Sequence, residues 1–466
     1  MLQLPLHEYM VDDAYIHLTF AQNLVNGYGF SFNPNEPTFG VTAPLWTMLL
    51  YLLGSIFQPT PLLAKCLSIF FGVLTIPILY QLCRKLSLRN NYALSVAILW
   101  SVNIWHIRWA ASGMETSLAL LLLLLGFSAH ISRRWYTGLL FGLAVLTRPE
   151  VGVLVLVLIL ELAYSRVWKK ALVFCMAFGV TILPWLIYAM QEFGTIYPNP
   201  ALVKAQSNSF IWSDFVYGFK RIILILGGAH TLEIILLIFG IGWLWRQKSE
   251  LSRSWQPFYV ILIIWMMFPA IFYLSRGVFI TSRYMIIGIP PLVICAFLVL
   301  QSIKEYGIGV TINQHLKYLV VIMIAIQITL TTIITLPHAA AFQPTIKALK
   351  ELALELREST PQGSSVAIGD VGVVGYYADR YLIDLEGLVS PQVIPYRVGK
   401  PLEQVIFTEE YWNFRKPDFI IDKAMDSERL NRHFGDRYLI LTVKPIPGGM
   451  VDTSKEQWYY TLYKIN

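Results

Sequence analysis

The run VTAPLWTMLLYLLGSIF (residues 41–57) decides how the chain is threaded. It is apolar enough to be counted as a membrane span, but counting it breaks the charge pattern downstream. Left out, alternate loops hold Arg84, Lys85 and Arg89, then Arg133 and Arg134, then Arg166, Lys169 and Lys170, then Arg246, Lys248 and Arg253, then Lys304 and Lys317. Basic residues collect on the cytoplasmic side of a membrane, and with the first loop outside these five clusters fall on that side only if 41–57 does not cross. It therefore reads as a helix lying at the outer interface, with Trp46 near the headgroups.

Composition supports a membrane reading throughout. The 466 residues are 56% hydrophobic and 14% charged, against about 25% charged in ordinary soluble domains. Apolar runs near the length a bilayer requires fall at 61–83, 92–109, 115–131, 135–147, 150–165, 170–190, 222–245, 257–275, 283–301 and 316–336. Two of them, 135–147 and 150–165, are short and read as half-buried or bent. The net charge of +7 then reflects topology and not nucleic-acid binding. Cys66, Cys83, Cys175 and Cys295 lie in or beside apolar runs without CxxC spacing, so they read as small buried hydrophobes.

On this threading the first loop, the segment 191–220 and everything after 337 lie outside. The chain begins outside without a span ahead of Asp12. A first transmembrane helix missing from the sequence is the favoured reading, export without one the alternative. Beyond about 340 the composition changes. QPTIKALKELALELRE (343–358) places Ile346, Leu349, Leu352 and Leu356 on one helix face. SSVAIGDV, RYLIDL, PDFIID, RYLILTV and WYYTLY follow as short strands between turns. The expected organisation is an outer acidic loop with interfacial helices (1–60), an all-α polytopic bundle of about ten spans (61–337) and an extracytoplasmic α/β domain (338–466).

The chemistry gathers on the outer face. Asp12 and Asp13 open a short helix that Gly27 closes. A capping role explains one acid, but two adjacent carboxylates repel unless a cation or proton is near. Arg108, Arg148, Lys204, Lys220, Arg221, Arg276 and Arg283 lie on the side where the charge rule does not want them. Lys220 and Arg221 read as span flanks. The others lie in HIRWAASGMET, LTRPE, YPNPALVKA and SRGVFITSRY, and fit a clamp for an anion such as a lipid-linked phosphate. A carboxylate base with cationic phosphate clamps is what glycosyl transfer requires. Plainer roles stand beside these: a capping box from Ser112 and Glu115, and an Arg148–Glu150 pair after the helix-breaking Pro149. His17, four residues after Asp13, admits a divalent metal as cofactor without requiring one. GDVGVVG (369–375) lacks GxGxxG spacing and reads as a strand-to-helix turn.

These residues resemble the GT-C class of integral-membrane glycosyltransferases, which use polyprenyl-phosphate sugars. DDAYIHLTFAQNLVNGYGFSFNPNEPTFGVTAPLWTMLLYLLG (12–54) is similar to that class's first outer loop. The pattern is nearest the arabinofuranosyltransferase-like branch, with looser likeness to the aminoarabinose transferase of lipid A and the protein O-mannosyltransferases. SGMETSL, LTRPE, YPNPALVKA, SRY and GDVGVVGYY…YLIDLEGLV follow as landmarks in the expected order, so the resemblance covers nearly the whole chain. It implies that the Asp12–Asp13 pair supplies the catalytic base, with Asp12 as base and Asp13 positioning it. It implies donor-phosphate contacts from Lys204 and Arg283, which Arg148, Arg108 and Arg276 would extend. A substrate-binding set of Tyr15, Glu115, Tyr197, Asn199, Tyr284, Asp370, Asp384 and Glu386 would complete the site, though Asp370, Asp384 and Glu386 read more readily as strand-end turns.

The expected activity is inverting transfer of a sugar from a polyprenyl-phosphate donor to an envelope polysaccharide, lipid or protein, at the outer face of the inner (plasma) membrane. A transporter or flippase for a lipid-linked sugar is one rival; it would line the bundle with ionisable residues at mid-membrane. A non-catalytic GT-C paralogue is the other; the intact Asp pair argues against it and the missing first helix for it.

Overall fold

The computed structural model describes residues 6, 9–206, 212–246, 257–305, 309–397, 399–447 and 457–466. The first loop carries α1 (Asp12–Val25) and α2 (Pro44–Phe57). The bundle follows as α3 (Pro61–Lys85), α4 (Asn90–Ser101), α5 (Ile104–Ala110), α6 (Thr116–Ile131), α7 (Thr137–Val145), α8 (Gly152–Tyr164) and α9 (Trp168–Phe193). It continues through α10 (Asn199–Gln206), α11 (Trp212–Ile222), α12 (Gly228–Arg246), α13 (Pro257–Leu274), α14 (Ser282–Met285), α15 (Ile289–Glu305), α16 (Gly309–Leu330) and α17 (Leu336–Ser359).

Local rules set the boundaries. α1 ends where Gly27 takes φ +80°, a left-handed conformation suited to glycine, and the Tyr28 N–H reaches back to Asn23 O at 2.9 Å. α3 starts at Pro61 with Thr60 as cap, its Oγ1 accepting from Leu63 N at 3.3 Å, and ends on Arg84 and Lys85. Five stretches among the described residues are long and apolar enough to cross a membrane: Pro61–Lys85, Trp168–Phe193, Trp212–Gly242, Ser282–Ile303 and His315–Ser359. The sequence count of about ten includes apolar helices shorter than this, such as Thr116–Ile131 and Tyr259–Leu274.

Some expectations change. The run 92–109 is two helices, because the Asn103 side chain accepts from Trp105 N (3.1 Å) and His106 N (3.0 Å) and so caps a new start. α2 has 14 residues, about 21 Å, too short to cross. Trp46 is not a headgroup anchor; it is fully buried, edge-on to Phe71. Cys66 and Cys175 turn outward on their helices, whereas Cys83 is buried. The amphipathic segment 343–358 does not start afresh after the last span. It is the end of one continuous helix, His315–Ser359, with a wide turn at Thr331–Thr335.

The C-terminal sheet has the order β2-β1-β3-β5-β4, from β1 (Ser365–Ile368), β2 (Tyr381–Asp384), β3 (Phe419–Ala424), β4 (Tyr438–Ile446) and β5 (Trp458–Ile465), with α18 (Val371–Tyr377) between β1 and β2. β1 pairs in parallel with β2 and β3, while β5 runs antiparallel to β3 and β4. Alternation sends Val366 and Ile368 into the core shared with the bundle, and Ala367 and Ile383 into a separate core on the other face.

The first loop is fastened to this sheet at several points. Asn33 donates to Leu382 O and accepts from Leu382 N, both at 2.9 Å, satisfying the free edge of β2. Tyr381 OH donates to Glu36 Oε2 at 2.7 Å. The glycines of GDVGVVG allow α18 to press against the loop. A Cβ on Gly372 would lie 2.1 Å from Asp12 O, and one on Gly375 2.2 Å from Phe32 Cζ. Gly372→Ala should therefore force the two apart, at about 1–3 kcal/mol. The check is thermal unfolding of the purified protein in detergent. A midpoint within a degree of the parent would show that this contact does not hold the domain.

Candidate active site

The Asp pair divides between two tasks. Asp12 caps a helix, but not its own: Oδ2 accepts from Gly372 N at 2.9 Å and Oδ1 from Val373 N at 2.8 Å, at the start of α18. Successive residues of a helix are rotated by about 100°, so Asp13 points elsewhere. Its Oδ2 accepts from Arg283 Nη1 at 2.7 Å, with the Asp13 side chain half-exposed and Arg283 mostly buried.

Arg283 belongs to a chain of alternating charges. Its Nε lies 4.0 Å from Glu115 Oε1. The same oxygen is 3.1 Å from Arg148 Nη2. Arg148 also donates to Glu150 Oε1 (3.3 Å), Thr116 Oγ1 (3.2 Å) and the Arg283 carbonyl (3.4 Å). Glu150 accepts in turn from Tyr273 OH at 2.6 Å, and the Tyr273 and Tyr284 rings stack 4.2 Å apart. Buried ions persist only when paired in this way. Arg148 Nε and Arg283 Nε are buried and have no hydrogen-bond partner among the described residues. Such leftover capacity suits a charged ligand.

Beside this chain opens a cavity of about 460 Å³. Arg148, Glu150, Arg276, Arg283, Tyr273 and Tyr284 form its polar wall, with Tyr197 and Pro198 closing one side. Val145, Leu146, Val153, Ile182, Trp185 and Phe272 form an apolar wall. The volume and mixed lining are those of a small-molecule site.

The other residues singled out in the sequence fall into three groups. Glu115, Arg148, Arg276, Arg283, Tyr197 and Tyr284 come together at or directly behind the cavity. Lys204 lies on α10, whose first turn borders the cavity, but its side chain is outside the described residues. The remainder are elsewhere. Arg108 donates to Tyr9 OH at 3.1 Å. Tyr15 is buried against Tyr376 and Tyr377. Asn199 ties Thr38 Oγ1 (3.0 Å) to Leu388 O (3.1 Å). Asp370 accepts from Lys423 Nζ at 2.9 Å and from Tyr460 OH. Asp384 accepts from Glu386 N (2.9 Å) and Val389 N (2.8 Å) in the turn after β2, and Glu386 pairs with Arg397 at 3.0 Å. Ser112 and Glu115 do not form a capping box: Ser112 Oγ donates to Trp109 O and accepts from Met114 N. Tyr273 and Trp185, which line the cavity, carried no sequence signal, since an aromatic within an apolar helix is ordinary.

His17 is buried, with Nδ1 2.8 Å from Thr47 Oγ1. Burial pushes it down to about 4, so it is neutral at physiological pH. No cluster of three or more His, Cys, Asp or Glu stands ready for a metal ion among the described residues.

Residues 335–463 match the family model described as Domain of unknown function (DUF8728). In sequence the chain is 29% identical over 238 residues to the terminal beta-(1->2)-arabinofuranosyltransferase of Mycobacterium tuberculosis, covering 46% of this chain and 38% of that protein. The match thus spans less than two fifths of the relative's length. In structure it is similar to ArnT from Cupriavidus metallidurans in the apo state (TM-score 0.64, 13% identity, 98% of this chain and 94% of that one). The undecaprenyl-phosphate-bound form of ArnT gives 0.61 at 12% identity, over 99% and 95%. The chain has the GT-C fold, arabinofuranosyltransferase-like in sequence. The archaeal oligosaccharyltransferase AglB from Archaeoglobus fulgidus, in complex with an inhibitory peptide and a dolichol-phosphate, also matches this chain, with TM-score 0.54 and 12% identity over 90% and 66%. The likeness and the apolar helices make this a membrane-embedded protein.

The Asp12 junction predicts a pH effect. Burial, with Asp370 nearby, pushes Asp12 up to about 7 against its two N–H bonds. A raised carboxyl gives stability that is fully present below the unfolded value, about 4, and is lost as pH rises through about 7. Asp384 is likewise raised to about 7 by burial, with the same sign. Asp12→Asn should lower the unfolding midpoint at pH 5 and flatten its decline between pH 5 and 8, leaving the slope from Asp384. An unchanged slope would sink this account.

Proposed function

We propose that this protein transfers a sugar from a polyprenyl-phosphate donor to a hydroxyl of a cell-envelope acceptor, at the extracytoplasmic face of the inner (plasma) membrane. The observation that carries the reading is the Asp13–Arg283 ion pair, because Arg283 also lines the mixed polar and apolar cavity. A carboxylate able to take a proton is thereby joined to a guanidinium able to hold a phosphate. The fold shared with a protein crystallised with undecaprenyl phosphate, and the sequence likeness to an arabinofuranosyltransferase, support the same reading.

In this scheme the donor phosphate lies against Arg283 and Arg276, and the polyprenyl chain follows the apolar wall. Arg148, held by Glu115 and Glu150, backs them with fixed positive charge. Tyr284 and Tyr197 flank the sugar. Asp13 takes the acceptor proton as the acceptor oxygen attacks the anomeric carbon. The bond from that carbon to the phosphate oxygen breaks, and polyprenyl phosphate leaves with the electron pair, its charge met by the guanidiniums. Attack opposite the leaving phosphate inverts the anomeric centre. Asp12 has both oxygens occupied by backbone N–H groups, which favours Asp13 as the base and leaves Asp12 to fasten α1 to α18.

The test is sugar transfer from a radiolabelled polyprenyl-phosphate donor in membranes. Asp13→Asn should lower kcat by roughly 10²–10⁴-fold with normal protein levels, the range for a lost general base. Asp12→Asn should act through the amount of folded protein and leave kcat per folded molecule within a few-fold. The reverse pattern would assign the base to Asp12, and activity unaffected by either substitution would remove the pair from the chemistry.

A further inference from the structure

We propose that Glu115 is a positioning residue: it holds Arg283 between the cavity and Asp13 and does not itself touch substrate. The inference rests on the transfer reading above. Glu115 is 2% exposed and stands behind the cavity wall, whereas Arg148, Glu150 and Arg283 are part of that wall. Its Oε1 serves two guanidiniums, at 3.1 Å from Arg148 Nη2 and 4.0 Å from Arg283 Nε. The second distance is an ionic contact beyond hydrogen-bond reach. Arg283 is thus loosely tethered from behind by Glu115 and firmly bonded in front to Asp13 at 2.7 Å.

The turn that carries Glu115 is rigidly built. Gly113 takes φ +77° against Met10, and Ser68 Oγ donates to Met114 O at 3.0 Å. Trp109 Nε1 donates to Ser282 Oγ at 3.0 Å, joining this turn to the residue before Arg283. Glu115 and Arg283 therefore share one frame. An anion entering the cavity attracts Arg283, and Asp13 is attached to the same guanidinium. The carboxylate behind limits how far Arg283 can follow the anion, and so keeps Asp13 aimed at the acceptor.

A positioning role and a substrate contact predict opposite effects for Glu115→Gln. Gln keeps the shape and removes one negative charge from beneath two guanidiniums. If Glu115 positions, undecaprenyl phosphate should bind the detergent-purified protein as tightly as the parent or several-fold tighter, because the cavity gains net positive charge. Donor KM should not rise, and kcat should fall by about 100-fold, the scale of a misplaced catalytic group. Arg283→Lys keeps the charge but loses the fork, and should also lower kcat. Adding Glu115→Gln to it should cost little more, because both act through one group.

Weaker undecaprenyl phosphate binding, a raised donor KM with kcat intact, or multiplicative losses in the double variant would overturn the proposal. A parent protein that binds undecaprenyl phosphate but transfers no sugar would remove the transfer reading. The binding arm would then still decide whether Glu115 is the arginines' counter-ion. A parent that neither binds nor transfers would remove both.

Discussion

Two backbone N–H groups at residues 372 and 373 depend on a carboxylate at residue 12. Everything near the candidate site is arranged around that bond. A helix start leaves N–H groups without intrahelical partners, and α18 finds its acceptor in the first loop. Asp370, at the N-cap position, makes no side-chain bond to the helix it precedes; its carboxylate is spent on Lys423 and Tyr460. Because α1 is committed to α18 through Asp12, the next residue along is committed to facing away, toward Arg283. The junction and the candidate base are adjacent links of one chain and cannot be oriented independently.

Much of this could be read from the sequence, for specific reasons. The five strands were legible because each is a short β-branched or aromatic run between turn-formers, and all five appear. Gly27 was legible as a helix stop because few other residues tolerate its φ. The run 41–57 did not become a span because it is too short. The outer basic residues were legible as a set only in part: Arg148, Arg276 and Arg283 line one cavity although 135 positions separate the first from the last, whereas Arg108 of the same set bonds Tyr9 elsewhere.

Other features were illegible because they depend on distant partners. Nothing near Asp12 shows that its carboxylate serves a helix 360 residues away. Nothing in GDVGVVG says that its glycines make room for Asp12 and Phe32; spacing alone excluded a nucleotide loop without saying what the glycines were for. Asn33 lies in the first-loop run quoted from the sequence, but its two bonds to Leu382 appear only once the edge of β2 is in place. The split at Asn103 was missed because a cap inside an apolar run is outweighed by the hydropathy around it.

The continuous helix His315–Ser359 has a further consequence. At 1.5 Å per residue its 45 residues make a rod of about 68 Å, more than twice the hydrocarbon thickness. Its upper part packs Leu349, Leu352 and Leu356 into the core that the bundle shares with the sheet. The sheet is therefore mounted on a mast. Its height over the cavity follows from how the last span is seated among its neighbours, and the wide turn at Thr331–Thr335 sets the rotational phase between the lower and upper halves. One residue inserted into the lower half would raise the sheet by about 1.5 Å and turn it by about 100°, swinging α18 away from Asp12. The length of a lipid-facing helix thus acts as a dimension of the candidate site.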